Sequence, residues 1–380
     1  MKPMDFDLPT RVVFGAGRLR DLGAVLDPFD GRRVFVVTDK AIARTGLVQE
    51  LTDLLARAGR EAVVFDEVEP EPTLALVDRA ADLRAAAQAD TIVALGGGSV
   101  IDVAKGVALL GRNPGRIADY VGAGRVAHDP LPLVAVPTTA GTGSEVSMAA
   151  VLADGASHLK KPIHSPRIRP RVALLDPLVL RHLPRHVAID AGMDALTHLI
   201  EGYVSRGATP FTDTLALDGI RRIGRYLLPF VADRSHVEAA GQMQYAALLG
   251  GIVLTHARTG LAHTLTRPLG GRLPHGRANA IVLPSVMEYN LSAAPEKFRA
   301  IAVALGESVE GGTLAGARRA IEAVRQLCAV LDIPRSLSEA GVVLDDPAAL
   351  AEAAYAQDLS KLNPRTFTVE DIRRLYEQVA

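Results

Sequence analysis

Between Arg11 and Val136 the chain repeats one alternation, a short run of Val, Ile, Leu and Phe followed by a stretch with helical spacing. The runs are Arg11–Gly15, Arg33–Thr38, Ala62–Phe65, Thr91–Leu95 and Leu131–Val136; helical stretches among them are Leu47–Ala58 and Leu74–Ala87. Runs that are apolar throughout, rather than at every second residue, belong to strands buried on both faces. Strands and helices alternating at this length predict a doubly wound parallel sheet. Near Pro184 the pattern changes. Helical spacing alone follows at Val187–Ser205, Thr212–Ala232, Val237–Leu254, Phe298–Leu305 and Leu314–Leu331. The expectation is an α/β parallel-sheet domain over residues 1–185 and an all-α domain over 186–380, and 380 residues suit two domains better than one.

Within the second half, Ile189–Glu201 reads I-D-A-G-M-D-A-L-T-H-L-I-E. Asp194 and His198 are four residues apart, so on a helix both side chains leave one face, one turn apart. A carboxylate and an imidazole so placed are half of a divalent metal site. Two imidazoles downstream supply the other half, His263 in G-L-A-H-T-L-T-R-P-L-G-G and His275 in L-P-H-G-R-A-N-A. Any one of these histidines alone reads as a packed or surface residue; the metal reading rests on the set. One carboxylate with three imidazoles suits Fe(II) or Zn(II), whereas Mg and Ca prefer all-oxygen shells.

In the first half, strand Thr91–Leu95 runs into Gly96, Gly97, Gly98 and Ser99 and then a helix start. Glycines permit positive φ and close backbone approach, and a helix start offers free N–H groups and a positive dipole end. A pyrophosphate is the natural occupant, although this is not the G-x-G-x-x-G fingerprint. A second polar turn, P-T-T-A-G-T-G-S-E from Pro137, follows the fifth run, and two such turns side by side place a nucleotide across them. Phe14–Gly17 reads as a strand-ending turn. Asp39 closes the second run and has two readings: an acceptor for both ribose hydroxyls that repels a 2′-phosphate and so selects NAD over NADP, or a cap for the helix starting at Lys40.

Composition removes several classes. With 42 Lys and Arg against 43 Asp and Glu, there is no basic surplus for nucleic acid or an anionic membrane. A single cysteine, Cys328, rules out an internal disulfide framework and fits a reducing compartment. No apolar run approaches the roughly 20 residues of a membrane helix, and M-K-P-M-D-F-D-L-P offers no apolar core of signal-peptide length. The expectation is a soluble, cytoplasmic protein without nucleic-acid or membrane partners.

Together these segments resemble the iron-containing (group III) alcohol dehydrogenases over nearly the whole chain. The resemblance is carried by F-G-A-G, V-V-T-D, G-G-G-S-V-I-D-V-A-K, P-T-T-A-G-T-G-S-E-V, L-L-D-P, G-M-D-A-L-T-H-L-I-E-G-Y, P-L-G-G, P-H-G-R-A-N-A and N-P-R-T-F-T-V-E-D-I. It implies an oxidoreductase with a Rossmann-like NAD(H) domain, a helical domain holding Fe(II) or Zn(II), an active site in the cleft between them, and a homodimer or larger homo-oligomer. The implied metal ligands are Asp194, His198, His263 and His275, the set already drawn from the residues. For the cofactor it implies Asp39, Gly97, Gly98, Ser99, Asp102, Thr138, Thr139, Thr142 and Lys160.

Four departures stand out. Arg267 occupies a position usually held by His, four residues after His263; His256 replaces an Asn seven residues before that ligand; Glu71 replaces another Asn; and the stretch between His263 and His275 is about two residues short. Relatives are expected to pass a proton through the His that is Arg267 here, and a guanidinium, always protonated, cannot take that part. His256, seven residues before His263 and hence on the same helical face, substitutes as carrier, or else makes a structural hydrogen bond. Arg267 either pairs with Glu71 or grips a carboxylate, phosphate or phosphonate on the substrate. The expected reaction interconverts a small alcohol and its aldehyde or ketone; the alternative is an NAD- and metal-dependent sugar-phosphate cyclase of the dehydroquinate synthase type.

Overall fold

The computed structural model describes residues 4–29, 31–155, 159–356 and 361–380. The chain forms two compact units, one of Asp7–Thr139 with Gly143–Leu183, the other of Pro184–Ala380 with Met1–Phe6 and Ala140–Thr142.

In the first unit the elements run β1 (Arg11–Phe14), α1 (Leu22–Leu26), β2 (Arg33–Val37), α2 (Lys40–Ala43), α3 (Leu47–Arg57), β3 (Glu61–Phe65), α4 (Leu74–Ala86), β4 (Thr91–Gly96) and α5 (Gly98–Leu110). They continue with β5 (Gly122–Ala123), β6 (Leu133–Pro137), β7 (Ala149–Ala153), β8 (Lys160–His164) and β9 (Val172–Leu175). Six strands pair in the order β1-β9-β6-β4-β2-β3, every neighbour parallel. The β4 and β6 strands are buried at every residue, as their unbroken apolar runs require. The chain leaves β2 toward β3 but leaves β4 toward β6. The carboxyl ends of β2 and β4 therefore flank the point where strand order reverses, where doubly wound sheets take their ligands.

The periodicity gave no sign of a second sheet. The β5, β8 and β7 strands form a small mixed one, β8 running parallel to β5 and antiparallel to β7. Its strands are short and half-exposed, and the sequence K-K-P-I-H of β8 carries neither alternation nor an apolar run. The four-residue β9, V-A-L-L, also went unread.

The second unit is built from α6 (Arg185–Val204), α7 (Pro210–Ala232), α8 (Val237–Ala257), α9 (Leu261–Thr266), α10 (His275–Asn290), α11 (Pro295–Ala304), α12 (Thr313–Val330), α13 (Pro347–Ala356) and α14 (Val369–Val379). From Ala188 to Val204 nearly every residue of α6 is buried, which makes it the central helix of this unit. The α10 helix crosses it at contact distance: a Cβ on Gly276 would lie 2.0 Å from the Asp190 carbonyl oxygen. Arg277 Nε donates to Asp190 Oδ1 at 2.6 Å and fastens the same crossing. The short α9 is held from behind by α14, whose fully buried Tyr376 donates its hydroxyl to the Leu265 carbonyl at 2.6 Å.

The crossing makes a test of opposite signs. Gly276→Ala forces a methyl into backbone and is expected to cost about 3 kcal/mol. Gly250, inside α8, meets nothing closer than 3.6 Å with an added Cβ, so Gly250→Ala is expected to gain up to about 1 kcal/mol from helix propensity. Urea unfolding of both variants measures this; equal shifts in one direction contradict the close crossing.

Candidate active site

Three helices of the second unit deliver four side chains to one point. Asp194 and His198 come from one face of α6, His263 from the middle of α9, and His275 from the first turn of α10. Asp194 Oδ1 lies 3.9 Å from His198 Nε2 and 3.7 Å from both His263 Nε2 and His275 Nε2. The ligand atoms of Asp194, His198 and His263 all fall within 4.8 Å of one another. Atoms bound to a cation at about 2.1 Å sit roughly 3–4 Å apart, so these separations suit a shared ion. The His198 and His263 rings stack with centroids 4.7 Å apart.

Electrostatics match this geometry. Burial alone would raise the Asp194 carboxyl, but His198, His275, His263 and the Asn279 amide outweigh it and hold the group at about 2. Burial pulls the His198 imidazole below its ordinary value, which keeps the ring neutral with a lone pair to offer. Asn279 Nδ2 donates to Asp194 Oδ1 at 2.9 Å and lies 3.2 Å from Nε2 of His263 and of His275. Its carbonyl accepts from the Thr266 hydroxyl at 2.8 Å, which fixes the amide's orientation.

Glu201 completes the set, and the sequence reading passed over it. It lies three residues beyond His198 on α6, fully buried. Its Oε2 receives His263 Nδ1 at 2.6 Å and the Gly260 N–H at 2.8 Å, and its Oε1 receives the Ala262 N–H at 2.6 Å. With the Nδ1 proton held by Glu201, His263 presents the Nε2 lone pair toward Asp194, the arrangement common behind metal-bound histidines. The signal was present in the i, i+3 spacing from His198, yet a glutamate there also reads as ordinary helix polarity. One ionised carboxylate, three imidazoles and a carboxylate behind one of them are chemically suited to a divalent transition metal.

The residues implied for the cofactor, Thr142 apart, lie in the first unit. Gly97 caps α5, with Gly98 and Ser99 in its first turn. Neither Gly96, Gly97 nor Gly98 has positive φ, so the expected conformational reason for these glycines fails. What requires them is space: a Cβ on Gly96 would meet Val100 at 2.5 Å, and one on Gly97 would meet Thr139 at 3.1 Å. Thr138 continues from β6 with its N–H on the Gly96 carbonyl at 3.0 Å, joining the two turns. Thr142 belongs to the helical unit, as does Gly141, which packs directly on Ala191 of α6. Asp39 caps α2, Oδ1 accepting the Ile42 N–H at 2.8 Å, so the cap reading holds for one of its oxygens.

Two expectations change, those for His256 and for Glu71. His256 ends near the close of α8, and Arg258–Gly260 separate it from α9, so no continuous helix puts it on the face of His263. It instead contacts the Ile252 carbonyl through Nδ1 at 2.8 Å and stacks on Phe6 at 4.4 Å. Glu71 pairs with Lys160 at 3.5 Å, so the lysine implied for the cofactor has a carboxylate beside it. Glu71 also holds φ of 57°, a conformation that Asn tolerates better than Glu. Arg267 continues α9 in helical conformation, half-buried, one turn beyond His263.

Fold and cluster define a protein with a doubly wound parallel sheet and a separate helical unit carrying a carboxylate–imidazole cluster that could hold a metal ion. Residues 9–177 match the family described as iron-containing alcohol dehydrogenase, and residues 188–380 match the C-terminal domain of the Fe-containing alcohol dehydrogenase family. The chain is 37% identical over 374 residues to an NAD-dependent methanol dehydrogenase of Bacillus methanolicus, covering 98% of each. A crystal structure of 1,3-propanediol oxidoreductase superposes with a TM-score of 0.97 at 37% identity, covering 100% of both chains. The sulfoacetaldehyde reductase of Bifidobacterium kashiwanohense gives a TM-score of 0.90 at 27% identity over 100% of this chain and 99% of that one. The chain belongs to the iron-containing alcohol dehydrogenase family. The cyclase alternative finds no support among these relatives. Among the described residues, no helix is long and apolar enough to cross a membrane.

Glu201 makes the sharpest test of the cluster. Glu201→Gln removes the carboxylate charge behind His263 and turns one of two acceptor oxygens into a donor, and is expected to weaken metal binding roughly 10- to 100-fold. Competition against a chromophoric chelator, anaerobically for Fe(II), measures it; parent-like affinity would leave Glu201 without that role.

Proposed function

We propose that the chain is a metal-dependent NAD(H) alcohol dehydrogenase or aldehyde reductase that interconverts a small alcohol and its aldehyde or ketone. The observation that carries this is the convergence of Asp194 with three imidazole Nε2 atoms at 3.7–3.9 Å. Asp194, His198, His263 and His275 would hold the ion, with Fe(II) favoured by family and Zn(II) also suited to the donors. When bound, the metal supplies Lewis acidity for the substrate oxygen and the nicotinamide carries the hydride.

The chain's own part is electrostatic and positional. One carboxylate among neutral imidazoles leaves most of a dication's charge uncompensated, which favours an oxygen with developing negative charge. Glu201 keeps the His263 proton on Nδ1 and the ring fixed, and Asn279 steadies Asp194. On the nucleotide side, the turns at Gly97–Ser99 and Thr138–Thr139 suit the pyrophosphate, and Asp39, with one oxygen on the helix cap, keeps the other for ribose.

For the substrate, we propose a short aldehyde with an anionic tail gripped by Arg267. Its place one helical turn beyond His263 supports this, as does a relative named for sulfoacetaldehyde, which ends in a sulfonate. His256, stacked and bonded to its own helix, carries no proton in this account.

The test compares acidic and neutral aldehydes of equal length with NADH and with NADPH. NADH is expected to be preferred on account of Asp39. The acidic aldehyde is expected to lead by about ten- to a hundredfold in kcat/KM, from roughly 1.5–3 kcal/mol for a charge-assisted contact, and Arg267→Met is expected to abolish that lead. A parent indifferent to the tail, or a variant that still discriminates, makes Arg267 structural. No turnover with any member of an alcohol and aldehyde panel ends the enzymatic reading.

A further inference from the structure

The second polar turn is divided between the two units. Thr138 and Thr139 belong to the sheet unit, and Ala140, Gly141 and Thr142 to the helical one. Its start is fixed on the glycine turn: the Thr138 N–H donates to the Gly96 carbonyl at 3.0 Å, and a Cβ on Gly97 would come within 3.1 Å of Thr139. Its middle is seated on α6. A Cβ on Gly141 would stand 2.8 Å from the Cα and the carbonyl oxygen of Ala191, and 2.9 Å from its methyl. Gly141 has no positive φ, so what forbids a side chain there is the helix beneath it. Ala191, Asp194 and His198 stand at i, i+3 and i+7, so the turn lies on the face of α6 that carries two of the candidate ligands.

His198 has an unspent ring nitrogen. The residue is 6% exposed, its Nε2 faces Asp194 Oδ1 at 3.9 Å, and its Nδ1 is buried without a hydrogen bond of ordinary geometry. Burial dominates the charge balance of this ring, while the Gly141 backbone works the other way and favours a proton on it, as a carbonyl acceptor does. The acceptor within reach of Nδ1 is therefore the middle of the second turn. His263 differs, because Glu201 already holds its Nδ1. A neutral imidazole chooses between two tautomers. Committing the Nε2 lone pair to a cation leaves the proton only Nδ1, and a buried N–H there costs free energy unless it is accepted.

We propose that the Gly141 carbonyl positions His198, accepting Nδ1–H when a cation takes Nε2, and that metal and dinucleotide therefore bind cooperatively through this turn. This rests on the readings that the cluster takes a metal and the turn a dinucleotide. The cation fixes the ring, the ring fixes Gly141, and Thr138 and Thr139 follow by chain continuity. Linkage makes the effect reciprocal: the factor that metal adds to NADH affinity, NADH adds to metal affinity.

The test titrates NADH by fluorescence into chelator-stripped and Zn(II)-loaded protein without substrate, and reads Zn(II) affinity by chelator competition with and without NADH. Loading is expected to tighten NADH by about fivefold or more, with an equal factor in the reverse direction. Gly141→Ala lifts the turn from α6 and is expected to bring both factors to about one, while each ligand still binds, more weakly. Should that variant fold poorly, proton–nitrogen correlation spectra of the Zn(II)-loaded parent follow the His198 ring. A protonated Nδ1 that exchanges slowly with water, and more slowly still with NADH bound, is expected. NADH affinity independent of metal in the parent overturns the proposal. So does a factor that survives in Gly141→Ala, or an Nδ1 proton that exchanges as freely as that of a surface histidine. A parent that binds no Zn(II), or no NADH, defeats the underlying reading and the proposal with it, an outcome the same titrations show separately.

Discussion

An ionised carboxylate in a protein interior needs partners, because burial strips it of hydration. Asp194 is 3% exposed, in the middle of a helix buried nearly all round. Much of the helical unit is arranged to meet that demand. The close crossing of α10 on α6, possible because Gly276 has no side chain, brings in His275 and Asn279. Tyr376 and Glu201 fix the short α9 and so deliver His263. A site with one carboxylate among three imidazoles and a second carboxylate behind one of them suits a dication; hydrophobic residues of the same volume would pack as well without it.

The sheet unit applies the same physics with the sign reversed. There the buried charge is the Lys105 ammonium, and its acceptors belong to the segment that follows the second polar turn. In each unit a buried ion organises a loop whose geometry matters for the chemistry. In each, a residue that the sequence reading gave no role, Glu201 or Ser144, hydrogen-bonds a member of the cluster.

The sequence was most legible where burial imposes periodicity. Strands β1 to β4 and β6 and helices α3, α4, α6, α7, α8, α11 and α12 were visible as apolar runs or helical spacing, and of the cluster the Asp194–His198 pair was visible as a four-residue helical interval, with His263 and His275 visible only as residue types. Short, half-exposed β5, β7 and β8 gave no pattern because neither face is consistently buried. The α9 and α10 helices were hidden by the Gly and Pro residues around them, though their histidines were not. Of the two reasons read for the glycines at 96 and 97, positive φ fails, whereas close approach holds, with Val100 and Thr139 as the neighbours. The shared face read for His256 and His263 is absent because a count of seven residues presumes a helix that in fact breaks at Arg258.

The central claim is that the Asp194 cluster holds a functional divalent metal. The direct measurement is anaerobic titration of chelator-stripped protein with Fe(II), and separately Zn(II), following bound metal and NADH-dependent aldehyde reduction together. The account predicts saturation at one ion per chain, with activity rising in step and a nitrogen- and oxygen-rich first shell by X-ray absorption. Full activity in the stripped protein, or stoichiometric metal bound elsewhere with activity unchanged, would contradict it.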